Sequence, residues 1–555
     1  MKRKITLVVV SFLFSLQTFS QSPNWLWARS AGGTYTESGY SIAMDADDNI
    51  YVTGVFQSAT ITFGSTTLTN NAGTGYDIFI VKYDGAGNVI WAYGGGGPGV
   101  DYGNSISTDI NRNVYVTGTF TSTITFGSTT LTTAGGYDIF IAKFDSSGNV
   151  LWAKRAGGTN TDNCYNITTD VNGNAYISGN FSSSTITFGS ITLTNSGFND
   201  VFLAKYDSFG NAIWAISDGG YIFTGSRTDQ SGNIFLTGTF YGSTITFGSI
   251  VLTNADASGN TSDLFIVKYD TAGNIIWAES AGGVDDDGAS SIGLDGNANI
   301  FITGPFTSSA LAFGSSILNC GSTYGDIFVA KYDSSGNPLW GKRAGGSYNQ
   351  VGNGISTDAS GNVYITGMFQ SATCSFGSIT LINAGSTGDE DIFVAKYDAS
   401  GNLLWAISAG GVPQDVSSDI CSNALGNASI TGYFRSTPIY FGSTTLINAG
   451  LPTSGDMFVA KLDTFTVITG NDVMENFNNV LFIFPNPATT EVTINFSKAA
   501  RYDVQLCNTL GEVLEQTQIN TATLSLNMSG YAKGIYFVAV RDEAGNKVVK
   551  KVVKM

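Results

Sequence analysis

Acidic side chains are the residues of this 555-residue chain whose number and placement most invite a chemical reading. Glu37, Asp101, Asp162, Asp285 and Asp415 stand in segments that vary along an otherwise repetitive chain. Two facing carboxylates hydrolyse glycosides as acid and base or as acid and nucleophile. A secreted carbohydrate-active enzyme, hydrolase or lyase, is therefore the catalytic alternative, although so many candidates select no pair. Histidine is absent, which excludes Ser-His-Asp and Cys-His devices and any His-ligated metal. No Gly-x-Ser-x-Gly elbow or phosphate-cradling loop occurs, so no catalytic residue is assigned. Asp285-Asp286-Asp287 is the densest acidic cluster. Three adjacent carboxylates in a loop are normally solvated; a structural calcium ion is the one metal they leave open, and no other cofactor is expected.

Other recurrent polar residues read as architecture. Asp-x-x-Gly-Asn, or a close variant of it, occurs about twice per repeat, as at Asp145–Asn149 and Asp170–Asn174. Without DxDxDG spacing it reads as a turn, with Asp and Asn bonding locally and Gly taking positive φ. Lys82, Lys143, Lys205, Lys268, Lys331, Lys396 and Lys461 recur once per repeat. A residue present in every unit belongs to the unit, and the expected partner is the Asp that opens the same strand, as Asp77 does. One position breaks the symmetry. The site held by Ala43, Ser107, Thr168, Gly293, Ser356 and Cys421 is Arg227 in the fourth unit, either a buried ion pair or a functional group.

The elements that must position these residues are short strands. Asp77–Trp91 (DIFIVKYDGAGNVIW) is an alternating run, a turn and a second run ending in Trp, which reads as a β-hairpin. Seven Trp residues from Trp27 to Trp405 lie 61 to 65 positions apart. Each period also holds a short first run, a longer run ending Gly-x-Phe (Phe56, Phe120, Phe181, Phe240, Phe306, Phe369, Phe434) and a TFG-containing insertion. The last copy, from Asp456, lacks its Trp-bearing strand, and the missing strand stands at the other end as Asn24–Trp27. Four antiparallel strands repeated seven times hide their edges by radial closure. The fold class is thus all-β: a seven-bladed β-propeller over 21–463, closed by the N-terminal strand, then a linker over 464–480 and a small C-terminal β-sandwich over 481–555.

Residues 1–20 have a basic start, an apolar run and a small residue at Ser20, the pattern of a signal peptide. No later run is long enough for a transmembrane helix. With Lys2, Arg3 and Lys4 set aside, residues 5–465 carry 15 basic and 35 acidic side chains, whereas the C-terminal part is balanced. Such a surface repels phosphate backbones, so nucleic acid is not an expected partner. The five cysteines form no pair by spacing and read as free thiols.

The run SxxxDxxGNxYxTGxF followed by DIFVAKYDxxGNxxW resembles the SBBP family of bacterial β-propeller repeats over residues 25–463. That resemblance implies a propeller and no defined activity. Residues 481–555 resemble the type A C-terminal sorting domain of the type IX (Por) secretion system. The match rests on Pro485-Asn486-Pro487, Leu510-Gly511-Glu512, Gly534-Ile535-Tyr536 and a Lys-rich tail that includes Lys551. It implies passage through the type IX secretion machinery and a mature protein secreted or held at the outer-membrane surface.

The expected function is a binding or adhesion module for a glycan or protein ligand. The Asp-x-x-Gly-Asn turns share one face of the ring, and the varying connections and TFG insertions share the other. A single specific ligand needs an asymmetric surface carried on a rigid scaffold. The expected contacts are Tyr35, Tyr102, Asp162, Asp286 and Tyr348.

Overall fold

The computed structural model describes residues 23–555 except 198, 220, 425, 452, 464–480, 485–487, 497–498, 509–512, 544–546 and 555. The region read as a signal peptide and the 464–480 linker lie outside the described residues. The chain divides into two compact units, Pro23–Thr464 and one that holds the C-terminal strands. Every regular element among the described residues is a β-strand.

The larger unit is a propeller. In blade 1 the strands Glu37–Met44, Ile50–Phe56, Asp77–Tyr83 and Val89–Gly95 run antiparallel in that order, from the axis outward. The same four-strand order recurs in six further sheets. Their first strands are Asp101–Thr108, Asp162–Thr169, Tyr221–Thr228, Ser291–Leu294, Gln350–Thr357 and Asp415–Ser422, which begin blades 2 to 7. Each first strand touches the first strands of both neighbouring blades, and that of blade 7 touches that of blade 1, so the ring closes. Blade 7 takes its outer strand from Asn24–Ala31, which pairs antiparallel with Asp456–Asp463, Asn24 opposite Asp463 and Ala31 opposite Met457.

The middle strands explain the composition. Ile50–Phe56 and Asp77–Tyr83 are buried at every position, because each blade face packs on a neighbour; β-branched and aromatic side chains fill that space well. Glycine in the Thr-Gly-x-Phe run answers a different need. A Cβ on Gly54, Gly118, Gly179, Gly238, Gly367 or Gly432 would overlap a carbonyl oxygen of the first strand, which there passes directly over it, and one on Gly304 would overlap that of Gly288, just before the first strand of blade 5. The preceding threonine, such as Thr117, donates its hydroxyl to the third strand's carbonyl, here Phe140 O at 2.8 Å. That pair of residues sets the shape of the first strand, and so of the axis.

Neighbouring blades are locked by one repeated contact. The Trp91 indole N–H and the Lys82 ammonium both donate to Ser146 O in the outer turn of blade 2, at 3.1 and 3.0 Å. Trp152 with Lys143, Trp214 with Lys205, Trp340 with Lys331 and Trp27 with Lys461 do the same to Ser208, Thr271, Ala399 and Gly85. The Trp ring lies on the turn glycine: a side chain on Gly148 would meet the Trp91 ring, and one on Gly210 the ring of Trp152. The lysines therefore do not pair with the Asp that opens their own strand. They sit over the ring of the facing second-strand residue, as Lys143 does over Tyr115 at 4.7 Å, and near the first-turn carboxylate, Asp109, at 3.8 Å. The reason is direction. Lys143 lies five residues along the strand from Asp138, at the opposite end of the blade.

The TFG insertions are two-stranded hairpins such as Thr60–Phe63 with Thr66–Thr69. They leave and return at the face carrying the varying connections, but run down the rim. Phe188 pairs with Ala156 of the preceding blade's outer strand, and Gly189 reaches Ala212 at the start of its own. They protect strand edges and bury Ile61, Phe63 and Leu68 against Trp27 and Ala31. They are thus rim elements and add little to the binding face.

The C-terminal unit contains a sheet of Leu481–Phe484, Glu491–Phe496 and Thr523–Asn527 and a sheet of Val513–Ile519, Tyr502–Cys507, Gly534–Asp542 and Lys547–Lys554. Their inner faces share one core that includes Val492, Ile494, Tyr502, Val504, Val538 and Val552. Gly534 opens a strand, and the buried Tyr536 donates its hydroxyl to Ala532 O at 2.7 Å. Lys551 lies in the last strand. Pro485, Asn486, Pro487 and Gly511 lie outside the described residues.

Candidate functional site: the axial cavity and its aromatic mouth

Where the first strand passes over the Thr-Gly glycine it takes up one extra residue. Register shifts mark this β-bulge in six blades, between Gly39 and Ser41, Gly103 and Ser105, Cys164 and Asn166, Phe223 and Gly225, Gly352 and Gly354, and Ser417 and Asp419. A bulge re-aims a side chain, and here it supplies Tyr40, Asn104, Tyr165, Thr224, Asn353 and Ser418 to one axial cavity, with Ser290 in blade 5. The cavity measures about 380 Å³, within the range of small-ligand sites. Its wall is mostly hydroxyl and amide, because the ring positions that face the axis are small.

Two charges interrupt that wall. Asp419 stands at the register position of Ser41 and Ser105, whose hydroxyls link the first strands of blades 1, 2 and 3. Ile106 N donates to Ser41 Oγ and Ile167 N to Ser105 Oγ, and Ile42 N donates to Asp419 Oδ2 at 3.1 Å. Ser41 Oγ adds a bond to the same oxygen at 3.0 Å and Ile420 N one to Oδ1 at 2.8 Å. Burial pushes the Asp419 carboxyl up, and the positive field of Arg227 is the largest influence opposing it. Arg227 enters from blade 4. It faces Phe235 in register, as Ser107 faces Tyr115 and Ser356 faces Tyr364, so it is the one long side chain at a level otherwise held by Ala, Ser, Thr, Gly and Cys. Its Nη1 donates to Ser226 O at 2.9 Å. Among the described residues no carboxylate lies within ion-pair distance of it.

On the variable face the mouth is aromatic. Tyr102 lies between Tyr76 and Tyr137, with ring centroids 5.7 and 6.2 Å away. Tyr40 lines the cavity; burial raises its phenol, and the nearby Tyr102, Tyr76 and Tyr433 raise it further. Tyr165 stands half-exposed on the same wall, its hydroxyl bonded to Asn180 Oδ1 at 3.2 Å.

The residues expected as contacts do not converge. Tyr102 belongs to the arc beside the cavity. Tyr348 stacks on Tyr324 at 5.2 Å, nearly parallel, on the far side of the ring. Tyr35 is half-exposed in the loop between blades 7 and 1. Asp286 is exposed but engaged, accepting Ser262 N and Oγ at 2.9 Å each. Asp162 is corrected: it is fully buried and accepts Gly158 N at 2.7 Å and Ser183 Oγ at 2.8 Å. Glu37, Asp101, Asp287 and Asp415 occupy its equivalent position and anchor the same Gly-Gly loop or second-strand end. Four of the loop acids that looked catalytic, Glu37, Asp101, Asp162 and Asp415, are therefore loop anchors, whereas Asp285 is exposed. Among the described residues no group of three metal-ligating side chains forms. Tyr40, Tyr165, Asn166 and Asp419, which line the cavity, were not singled out by the sequence.

These anchors carry a pH dependence. Each lies near the Asp that opens the third strand of the preceding blade. Burial, reinforced by Asp77, pushes Asp101 up to about 8; burial pushes Glu37 and Asp391 up to about 7 and Asp77, Asp263, Asp415 and Asp456 up to about 6. A carboxyl raised on folding binds more protons folded than unfolded. Its stabilising contribution is complete below its unfolded value near pH 4 and is lost, at about 1.4 kcal/mol per pH unit for each group, as pH rises from there through its folded value of about 6 to 8. The melting temperature should fall by several degrees between pH 5 and pH 8. Glu37→Gln, which copies the native Gln350 of blade 6, should flatten that slope. A melting temperature that rises over this interval would contradict the assignment.

Comparison with known proteins agrees with this architecture. Residues 92–122, 151–180 and 339–368 match the beta-propeller repeat, and residues 482–555 match the secretion system C-terminal sorting domain. The chain thus contains SBBP β-propeller repeats within an all-β propeller fold. It carries the C-terminal sorting domain of the type IX secretion system, the mark of a secreted or cell-surface protein that engages that machinery. It is similar to an uncharacterized WD repeat-containing protein of Acanthamoeba polyphaga mimivirus, 26% identical over 79% of this chain, and spans 38% of that relative's length. Among solved structures it is similar to the Dos1 propeller (8% identity, 80% of this chain and 96% of that one, TM-score 0.39). It is also similar to PorZ, a surface component of the type-IX secretion system of Porphyromonas gingivalis (12% identity, 95% and 100%, TM-score 0.17).

Proposed function

We propose that this protein is an exported glycan-binding module whose ligand docks on the variable face, over Tyr76, Tyr102 and Tyr137, and enters the axial cavity past Tyr40 and Tyr165. The carrying observation is the continuity of an aromatic arc with a polar cavity on one side of an otherwise seven-fold ring. Aromatic rings offer broad apolar faces to the C–H faces of sugars, and hydroxyl and amide groups beyond them match sugar hydroxyls. Asp419 is the one carboxylate lining the cavity, and its oxygens are engaged, whereas hydrolysis by a carboxylate pair needs a second. That favours binding over the carbohydrate-active alternative.

A glycan array probed with the mature chain tests the reading. At least one oligosaccharide should bind, and Tyr102→Ala should weaken it about tenfold, the size of one aromatic stacking contact. Tyr348→Ala, across the ring, should change nothing. A ligand insensitive to Tyr102→Ala and Tyr76→Ala would reject the site.

A further inference from the structure

We propose that Arg227 receives the carboxylate of a chain-terminal acidic sugar, a uronic acid, that enters the axial cavity from the variable face. The inference rests on the glycan-binding reading above and specifies its ligand. Arginine presents five N–H donors in a planar fork that fits a carboxylate bidentately. Arg227 uses one of them, towards its own neighbour's carbonyl at Ser226. It projects into a cavity of about 380 Å³ whose other cationic side chains number none and whose single carboxylate, Asp419, already accepts Ser41 Oγ, Ile42 N and Ile420 N.

An internal ion pair is the competing role for such an arginine. Asp419 is the acid opposite it, three blades away around the ring. Their interaction is felt at a distance and is not a contact: no carboxylate lies within 4.0 Å of Arg227 among the described residues, while shorter pairs such as Arg343–Asp326 at 2.6 Å do form elsewhere in the propeller. A guanidinium that faces a polar cavity and contacts no carboxylate has donors to offer a ligand.

The surroundings select a terminal acid. Residues 5–465 carry 15 basic and 35 acidic side chains, so the net field of the propeller opposes the approach of a polymer charged along its length. A single acidic residue at the end of a neutral chain avoids that. Its neutral units lie on the Tyr76–Tyr102–Tyr137 arc, and its last ring passes between Tyr40 and Tyr165 to reach Arg227. Asn166, whose Nδ2 is buried without a partner, faces the same cavity and supplies a donor to a ring hydroxyl.

The test titrates the mature chain with glucuronic acid, with a neutral oligosaccharide ending in glucuronic acid, and with its counterpart ending in glucose. The acid-terminated oligosaccharide should bind about tenfold tighter than the glucose-terminated one, the worth of a charge-assisted hydrogen-bonded pair. Free glucuronic acid should bind more weakly than the oligosaccharide, because it leaves the arc empty. Arg227→Gln should abolish the preference for the acid terminus; Arg227→Lys should keep part of it. Wild-type protein supplies an independent readout should a variant fold poorly: raising salt from about 0.05 to 0.5 M should weaken binding of the acid-terminated chain alone. Equal affinity for the two termini, with Tyr102→Ala weakening both, would overturn the role of Arg227 and spare the glycan-binding reading. Failure of all three probes and of the array would overturn both.

Discussion

Deleting residues 23–31 should unfold the propeller at temperatures where the intact chain is native. The deleted strand closes the ring. It pairs along its length with Asp456–Asp463, buries Trp27, Ala28 and Ala31, and places Trp25 edge-on against Phe441 at 4.9 Å. Replacing a buried Trp by Ala alone costs about 3–5 kcal/mol, a large part of the 5–15 kcal/mol that holds a typical domain. Loss of the strand also uncovers the edge of Asp456–Asp463, with its row of unpaired backbone groups, and removes the Trp27 indole from the lock on blade 1. The melting temperature should drop by about 10 °C or more, with aggregation through the bared edge. Supplying the peptide 23–31 in trans should recover part of the loss. A truncated chain that melts with the intact one would mean that the ring does not depend on this closure.

Deleting residues 481–555 should bring the amount of protein outside the cell to background while the propeller still folds. The two units have separate cores, so the propeller's melting temperature should be nearly unchanged. The sorting domain is what the type IX machinery engages. Cell fractionation should find the truncated chain in the periplasm, with its glycan affinity intact. Normal appearance of the truncated protein outside the cell would contradict the role of this domain in export.

The sequence made the scaffold legible because the repeat multiplies each signal. One Asp-x-x-Gly-Asn turn is weak evidence; nine, phased to Trp residues some 60 positions apart, specify hairpins and their order. The turns form as read: Asp145 Oδ1 accepts Ser147 N and Asn149 N, and Gly148 takes φ of 86°. The odd residue Arg227 was also visible, since an arginine among small residues stands out in any alignment of the units. Other parts of the site were not. Tyr40, Tyr165 and Asp419 owe their direction or spacing to a bulge, and the bulge comes from the close pass of one strand over the glycine of another, a contact that alternation along a single strand does not encode. The acids misled for a related reason. Asp162 and Glu37 open a strand at the end of variable, polar segments, where solvent exposure is the ordinary expectation. The backbone N–H groups of the Gly-Gly loops and second-strand ends instead draw them inside, where they are satisfied.

The central claim, that one side of the variable face and the axial cavity bind the ligand, is tested most directly by a hydrogen-exchange footprint of the mature chain with and without a bound oligosaccharide. Protection is expected in the first strands of blades 1 to 3, Glu37–Met44, Asp101–Thr108 and Asp162–Thr169, and in the segments carrying Tyr76 and Tyr137. The Asp-x-x-Gly-Asn turns on the opposite face should exchange as before. Protection confined to those turns, or spread evenly over all seven blades, would contradict the account.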